Sequence, residues 1–379
     1  MVTKRAKEIP PFLAMEVLEA ASVMERQGED IIHLEVGEPD FDTPDCIKEA
    51  AWKAMRDGKT HYTHSLGILE LREAIAEHYH KKYKVEVSPD QILVTSGTSP
   101  AMLLLFMSLL EPGDEVILPN PYYACYPNFV RLAEGKPVFV NVYEEEGFQY
   151  RPEETKPLIT SRTKAIFINS PANPTGNLMS QERMQEIVEL GKTIVSDEIY
   201  HGLVYEGKEH SILEFTKNAF VINGFSKLYA MTGWRLGYLI APPEFIRPLQ
   251  KMQQNFFISA NAFVQWAGVA ALKEAGEDVI RMKNLYNARR KFILPKLREL
   301  GFGITMEPTG AFYVLANAKA FTNNSFAFAF DILKKAKVGC TPGIDFGSNA
   351  EGYIRFSYAN SLENIAEAMR RLKNYLDTR

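Results

Sequence analysis

Short apolar runs alternate with stretches of helical spacing through the middle of this 379-residue chain, and no other feature restricts its fold as tightly. The runs lie at 91–95, 115–118, 137–140, 165–169, 193–196, 219–223 and 236–240. Several are apolar almost throughout, as expected of strands covered on both faces. Strand, helix and strand in succession argue for βαβ units and a mostly parallel sheet packed between helices. The predicted class is α/β.

The flanks read differently. Residues 11–27 place Leu13, Val17, Leu18, Ala21 and Met24 on one face, with Gly28 following, which predicts a helix. A strand is predicted at 31–36 and helices at 44–58 and 67–82. After about residue 284 the texture changes. A basic amphipathic helix is predicted at 285–300, strands at 302–305, 311–315 and 352–357, and helices at 326–336 and 362–376. That is an α+β module, and the length suits two units of this kind.

Composition narrows function rather than fold. Lys and Arg number 43 against 47 Asp and Glu, a net charge of −4. This is not the basic field of a nucleic-acid or acidic-membrane binder. Three scattered cysteines, Cys46, Cys125 and Cys340, form neither a disulfide framework nor a zinc pattern, which points to a reducing compartment. Residues 1–10 carry no apolar signal core, and the longest apolar run, 101–110, is about half a membrane span. A cytoplasmic protein without nucleic-acid or membrane partners is expected.

Five segments carry chemistry. Ser226-Lys227 follows the run 219–223, and Arg235 comes eight residues later, ahead of the next run. A lysine at a strand end can be partly desolvated, which lowers its pKa and suits a nucleophilic amine. Arg235 offers a planar fork for phosphate. Asp197 and Glu198 follow the run 193–196, and acids placed there are costly without partners. Ligands of open parallel sheets gather beyond the strand carboxyl ends, so Asp197 is placed to meet a cationic ring nitrogen. Asn173-Pro174-Thr175-Gly176 is turn chemistry that puts Asn173 at the same edge. Thr95-Ser96-Gly97-Thr98-Ser99-Pro100 leads into an apolar helix whose N-terminus can receive an anion. Arg355, in the alternating run Tyr353-Ile354-Arg355-Phe356-Ser357, could grip a carboxylate in bidentate fashion.

Together with Gly37-Glu38-Pro39-Asp40-Phe41 and Tyr62-Thr63, these segments stand in one order and spacing. In that set the chain resembles the class I/II aminotransferases, pyridoxal 5'-phosphate (PLP) enzymes of fold type I similar to aspartate aminotransferase. The resemblance implies a large PLP-binding domain at 41–284, a small α+β domain at 285–379, and an N-terminal segment, 1–40, joining the small one. It implies that Lys227 bonds to the cofactor and moves the reacting proton, that Asp197 pairs with the ring nitrogen, and that Asn173 and Tyr200 hydrogen-bond the ring's 3′-oxygen. By the same resemblance Tyr123 stacks on the ring, and Gly97, Thr98, Ser99, Ser226 and Arg235 hold the phosphate. Tyr62 reaches the phosphate from the other subunit of a homodimer. Arg355, Asn173 and the backbone at Gly37 hold the substrate. The implied activity moves an amino group between an L-amino acid and a 2-oxo acid, by way of pyridoxamine phosphate.

Two other activities fit parts of the same pattern. A carbon–sulfur β-lyase would share the PLP residues. A non-enzymatic PLP-binding sensor would need a DNA-binding module, for which the single helix before residue 31 is too little. Ser99 stands where some aspartate-specific relatives have a lysine, so neutral or aromatic donors are expected to serve at least as well as aspartate. His61 and His64 lack a third ligand in pattern, so no metal is expected. His78 and His80 read as solvated helix positions.

Overall fold

The computed structural model describes residues 1–378. Each of the seven predicted runs is a strand. They are β1 (Ile92–Thr95), β2 (Glu115–Asn120), β3 (Lys136–Asn141), β4 (Thr163–Asn169), β5 (Thr193–Asp197), β6 (Ala219–Gly224) and β7 (Gly237–Ile240). They form one sheet in the order β1-β7-β6-β5-β4-β2-β3. All neighbours are parallel except β7, which runs antiparallel to both β1 and β6.

Period-two alternation divides the strands' side chains between two cores. Val94, Ile117, Ile166, Ile194 and Val221 meet helices Asp45–Arg56, Leu69–Tyr83 and Ala262–Glu274 on one face. Leu93, Leu118, Phe167, Val195 and Phe220 meet helices Thr98–Leu109, Tyr126–Leu132 and Pro243–Phe256 on the other. Full burial of each such side chain is worth about 1.5–3 kcal/mol. The same topology collects the site. The last residues of β1, β4, β5 and β6 and the first of β7 all lie at one edge, with Thr95 and Gly224 both in register with Gly237.

A second sheet lies toward the C-terminus. It joins β8 (Tyr313–Asn317), β9 (Thr341–Pro342) and β10 (Tyr353–Ser357), antiparallel, in the order β9-β10-β8. Arg355 therefore sits on the central strand and is buried, not exposed on an edge. The N-terminal segment packs here: Val17, Ala21 and Ile31 share a small core with Leu333 of helix Ser325–Ala336.

Four expectations need correction. The strand expected at 31–36 is only Ile32–His33, paired with Val338–Gly339. Leu34 still bonds Gly339 and Ser357 through its backbone, but the Glu35 carbonyl is taken by the side chains of Arg355 and Thr341, and the pairing ends there. The strand expected at 302–305 is a single bridge, Gly303 to Asn317, just after Gly301 turns the chain at φ +94°. The helix expected at 285–300 is Gly276–Glu299, so position 284 falls inside an element. His78 is half-buried, edge-on to Tyr79 and Tyr83, and burial lowers its pKa to about 4. His80 is exposed, as expected.

Candidate active site

The sheet edge opens into a cavity of about 420 Å3. One corner is built by the end of β1 and the start of helix Thr98–Leu109. Gly97 takes φ +93°, which favours glycine, and caps the helix without a side chain. A Cβ on Gly97 would come within 2.6 Å of Arg235 Nη2, so the missing side chain is what lets the guanidinium approach. The N–H groups of the first turn have no intrahelical acceptors and carry the positive end of the dipole. Thr98, Ser99, Ser226 and Arg235 line this corner. Arg235 is exposed, held by an Nη1 bond to the Thr232 carbonyl at 2.9 Å. The arrangement is an anion corner.

On the floor stands Asp197. Tyr126 donates its hydroxyl to Oδ2 at 2.7 Å and the Ile199 N–H donates to Oδ1 at 3.1 Å. Burial outweighs these bonds and the charge of Lys227, raising the carboxyl to about 6. The next residue goes to the opposite face of the sheet. Glu198 accepts from Tyr79, Ser196, Ser211 and the Ile212 N–H, and burial lifts it to about 7. The acidic pair is thus divided by strand alternation, one carboxylate to the cavity and one to a closed polar network.

Lys227 reaches in from beyond β6, donating from Nζ to the Gly37 carbonyl at 2.6 Å. Burial brings its pKa down to about 8, helped by the nearby charges of Arg355 and Arg235 and opposed by those of Glu38 and Asp197. Asn173 is fixed by its N–H to Asn169 Oδ1 at 2.8 Å, and its own Oδ1 accepts from Arg355 Nη1 at 2.9 Å. Arg355 Nη2 donates to Thr341 Oγ1 and to the Glu35 carbonyl. Its Cζ lies over the rings of Tyr313 and Phe346, 4.6 and 4.8 Å from their centroids. Its Nε is buried with no hydrogen-bond partner among the described residues.

Gly37, Thr98, Ser99, Tyr123, Asn173, Asp197, Tyr200, Ser226, Lys227, Arg235 and Arg355 all border this cavity, and Gly97 stands directly behind Arg235. Tyr62 does not border it, and is 82% exposed. His61 and His64 are exposed and away from the cavity, and no cluster of three metal-ligating side chains occurs among the described residues. Of the wall residues not singled out from the sequence, two hold its polar groups. Tyr126 holds Asp197, and Tyr313 shares a hydrogen bond with Tyr200 at 2.8 Å while stacking on Arg355. Tyr126 follows Tyr122 and Tyr123 closely, and only the orientation of its helix distinguishes it. Tyr313 could have been found by face parity, since β8 pairs antiparallel with the strand that carries Arg355.

Comparison with known proteins agrees with this geometry. A family model described as aminotransferase class I and II matches residues 29–372. The chain is 44% identical, over the full length of both, to a (5-formylfuran-3-yl)methyl phosphate transaminase of Methanocaldococcus jannaschii. It is 41% identical to an aspartate aminotransferase of Pyrococcus horikoshii, over 96% of this chain and 94% of the other. The solved aspartate aminotransferase of Thermus thermophilus with maleate superposes with a TM-score of 0.94 at 38% identity, covering 99% of each chain. The chain belongs to the class I and II aminotransferase family and has its fold. It is an aminotransferase.

Proposed function

We propose that this aminotransferase uses pyridoxal 5'-phosphate to move an amino group between an L-amino acid and a 2-oxo acid in two half-reactions. The supporting observation is that one cavity gathers an amine, an anion corner, a buried carboxylate and a buried arginine. Each fits a part of the cofactor or substrate. A phosphate suits the helix N-terminus with Gly97, Thr98, Ser99, Ser226 and Arg235. A protonated ring nitrogen suits Asp197, whose raised pKa reflects a buried charge in need of a cation. Tyr200 and Asn173 offer hydrogen bonds to a ring oxygen, and Tyr123 offers an aromatic face.

Bound there, the cofactor supplies a carbonyl carbon for amine exchange and a cationic ring that takes up the electron pair left at the substrate Cα. Lys227, brought down to about 8, is far easier to deprotonate than an ordinary lysine and can accept and return the Cα proton. Arg355, with Nε unpaired and its guanidinium packed over two rings, holds the substrate α-carboxylate, assisted by Asn173 and the backbone at Gly37. Tyr62, exposed on this chain, completes the neighbouring site in a homodimer. The free thiols suit a reducing, cytoplasmic setting.

Borohydride reduction of the yellow holoenzyme, followed by peptide mapping, is expected to place the label on Lys227. A label on any other lysine refutes its role. Lys227→Ala should keep noncovalent cofactor but lose turnover by about three orders of magnitude or more, because nucleophile and proton carrier go together.

A further inference from the structure

Phe12, Ala14, Met15 and Glu38 border the cavity but have no part in the roles above. The first three belong to the start of helix Leu13–Glu25, whose N-cap residue is Phe12. Phenylalanine cannot cap a helix, so the leading N–H groups need another acceptor. Asp345 supplies it from 332 and 331 residues along the chain. Leu13 N–H donates to Oδ1 at 2.9 Å and Ala14 N–H to Oδ2 at 3.1 Å. A carboxylate here also meets the positive end of the helix dipole. With the helix start pinned, the Phe12 ring stands edge-on to Tyr123, centroids 5.8 Å apart and planes at 88°.

Asp345 lies in the turn Gly343–Phe346, and its neighbour Phe346 stacks on the Arg355 guanidinium. The turn is itself seated at both ends. Ile344 N–H donates to Ser325 Oγ at 3.1 Å, and the Phe346 carbonyl accepts from Tyr122 N–H at 2.9 Å. One four-residue turn therefore sets both the carboxylate clamp and the apolar wall beside it.

The cations bordering the cavity among the described residues are Lys227, Arg235 and Arg355, and each already has a role. A second carboxylate on a substrate would find none left on this chain, and would face Glu38. An apolar side chain would find Phe12, Ala14, Met15 and Val36. Resting on the PLP reading above, we infer that Phe12 and Met15, fixed by Asp345, form the side-chain subsite, and that the preferred amino donors carry apolar or aromatic side chains rather than carboxylates.

The test is kcat/KM of the holoenzyme for L-phenylalanine, L-leucine, L-alanine and L-aspartate, with 2-oxobutyrate, which has no second carboxylate, as acceptor. The wild type should favour phenylalanine and leucine over aspartate by about tenfold or more. Phe12→Ala should lower the phenylalanine-to-alanine ratio about tenfold, through KM, and Phe12→Leu should retain most of it. Asp345→Asn gives up the charge and one acceptor, and should shift the same ratio in the same direction. If Asp345→Asn fails to fold, the two Phe12 variants decide. Transfer mainly from aspartate, or an equal loss on all four donors in Phe12→Ala, overturns the subsite while leaving the PLP reading intact. A protein that binds no PLP overturns both.

Discussion

Asp197 is a carboxylate kept almost out of water, and hydrogen bonds from Tyr126 and Ile199 do not fully offset that burial. With its pKa near 6, the negative charge that a cationic ring needs is present above about pH 6 and lost below it. Cofactor affinity should therefore fall as pH drops through 6, and Asp197→Ala should bind weakly with a shallower dependence, the part left to the cofactor's phosphate, which itself ionises near 6. Asp197→Ala should also slow Cα deprotonation by roughly 10²-fold or more, the scale of losing a preorganised electrostatic partner, while Asp197→Glu keeps the charge and loses less. Equilibrium titration of PLP between pH 5 and 8 and the deprotonation rate of deuterated donor check both. An affinity flat across that range in the wild type would remove Asp197 from the role. Asp197, Lys227, Asn173 and Arg235 were legible in the sequence because each follows or precedes an apolar run at the same sheet edge. Tyr126 was not, because three tyrosines within five residues look alike until a helix orients them.

The segment 33–38 shows how much one short element can carry. The His33 Nδ1–H donates to Glu35 Oε1 at 2.6 Å, and Nε2 meets Glu25 Oε1 at 3.0 Å. The Glu35 carbonyl holds Arg355, and two residues on the Gly37 carbonyl holds Lys227. The bond to Glu35, against the opposing cost of burial, raises His33 to about 9. A folded-state pKa above the unfolded value of 6.5 stabilises most at low pH. The contribution is full below about 6.5 and is lost as pH rises through about 9. The groups facing the pair are Glu25, Glu35 and Cys340, and burial keeps the thiol protonated over that range. The difference in Tm between the wild type and His33→Gln should shrink from pH 6 to pH 10. A difference that stays constant would show the imidazolium contributes nothing. The expected strand at 31–36 stops short for a related reason: backbone partners serve Ile32 to Leu34, but the carbonyls of Glu35 and Gly37 are taken by side chains.

At the scale of the whole molecule, Tyr62 marks an exposed apolar face. It is 82% exposed, and Phe256 and Ile258 nearby in the fold are 61% and 46% exposed. The Thr63 N–H donates to Ser259 Oγ at 3.4 Å, tying the two segments together. Apolar side chains grouped on a surface mark an interaction face. In the proposed homodimer, Tyr62→Ala and Lys227→Ala chains would combine into hybrids with one intact site each. Mixing the two inactive variants should restore up to about a quarter of wild-type activity, from random pairing of two-fold dimers. No recovery, with hybrids confirmed by mass, would sink the shared site. The sequence by itself determined the α/β class, seven strands and the order of the motifs, because apolar periodicity and turn chemistry are local properties. Tertiary structure alone decided what those motifs touch. The antiparallel return of β7 sets Arg235 against Gly97, strand parity separates Asp197 from Glu198, and Asp345 caps a helix more than 300 residues before it. Such contacts depend on which elements pack side by side, and no local spacing of residues encodes that choice.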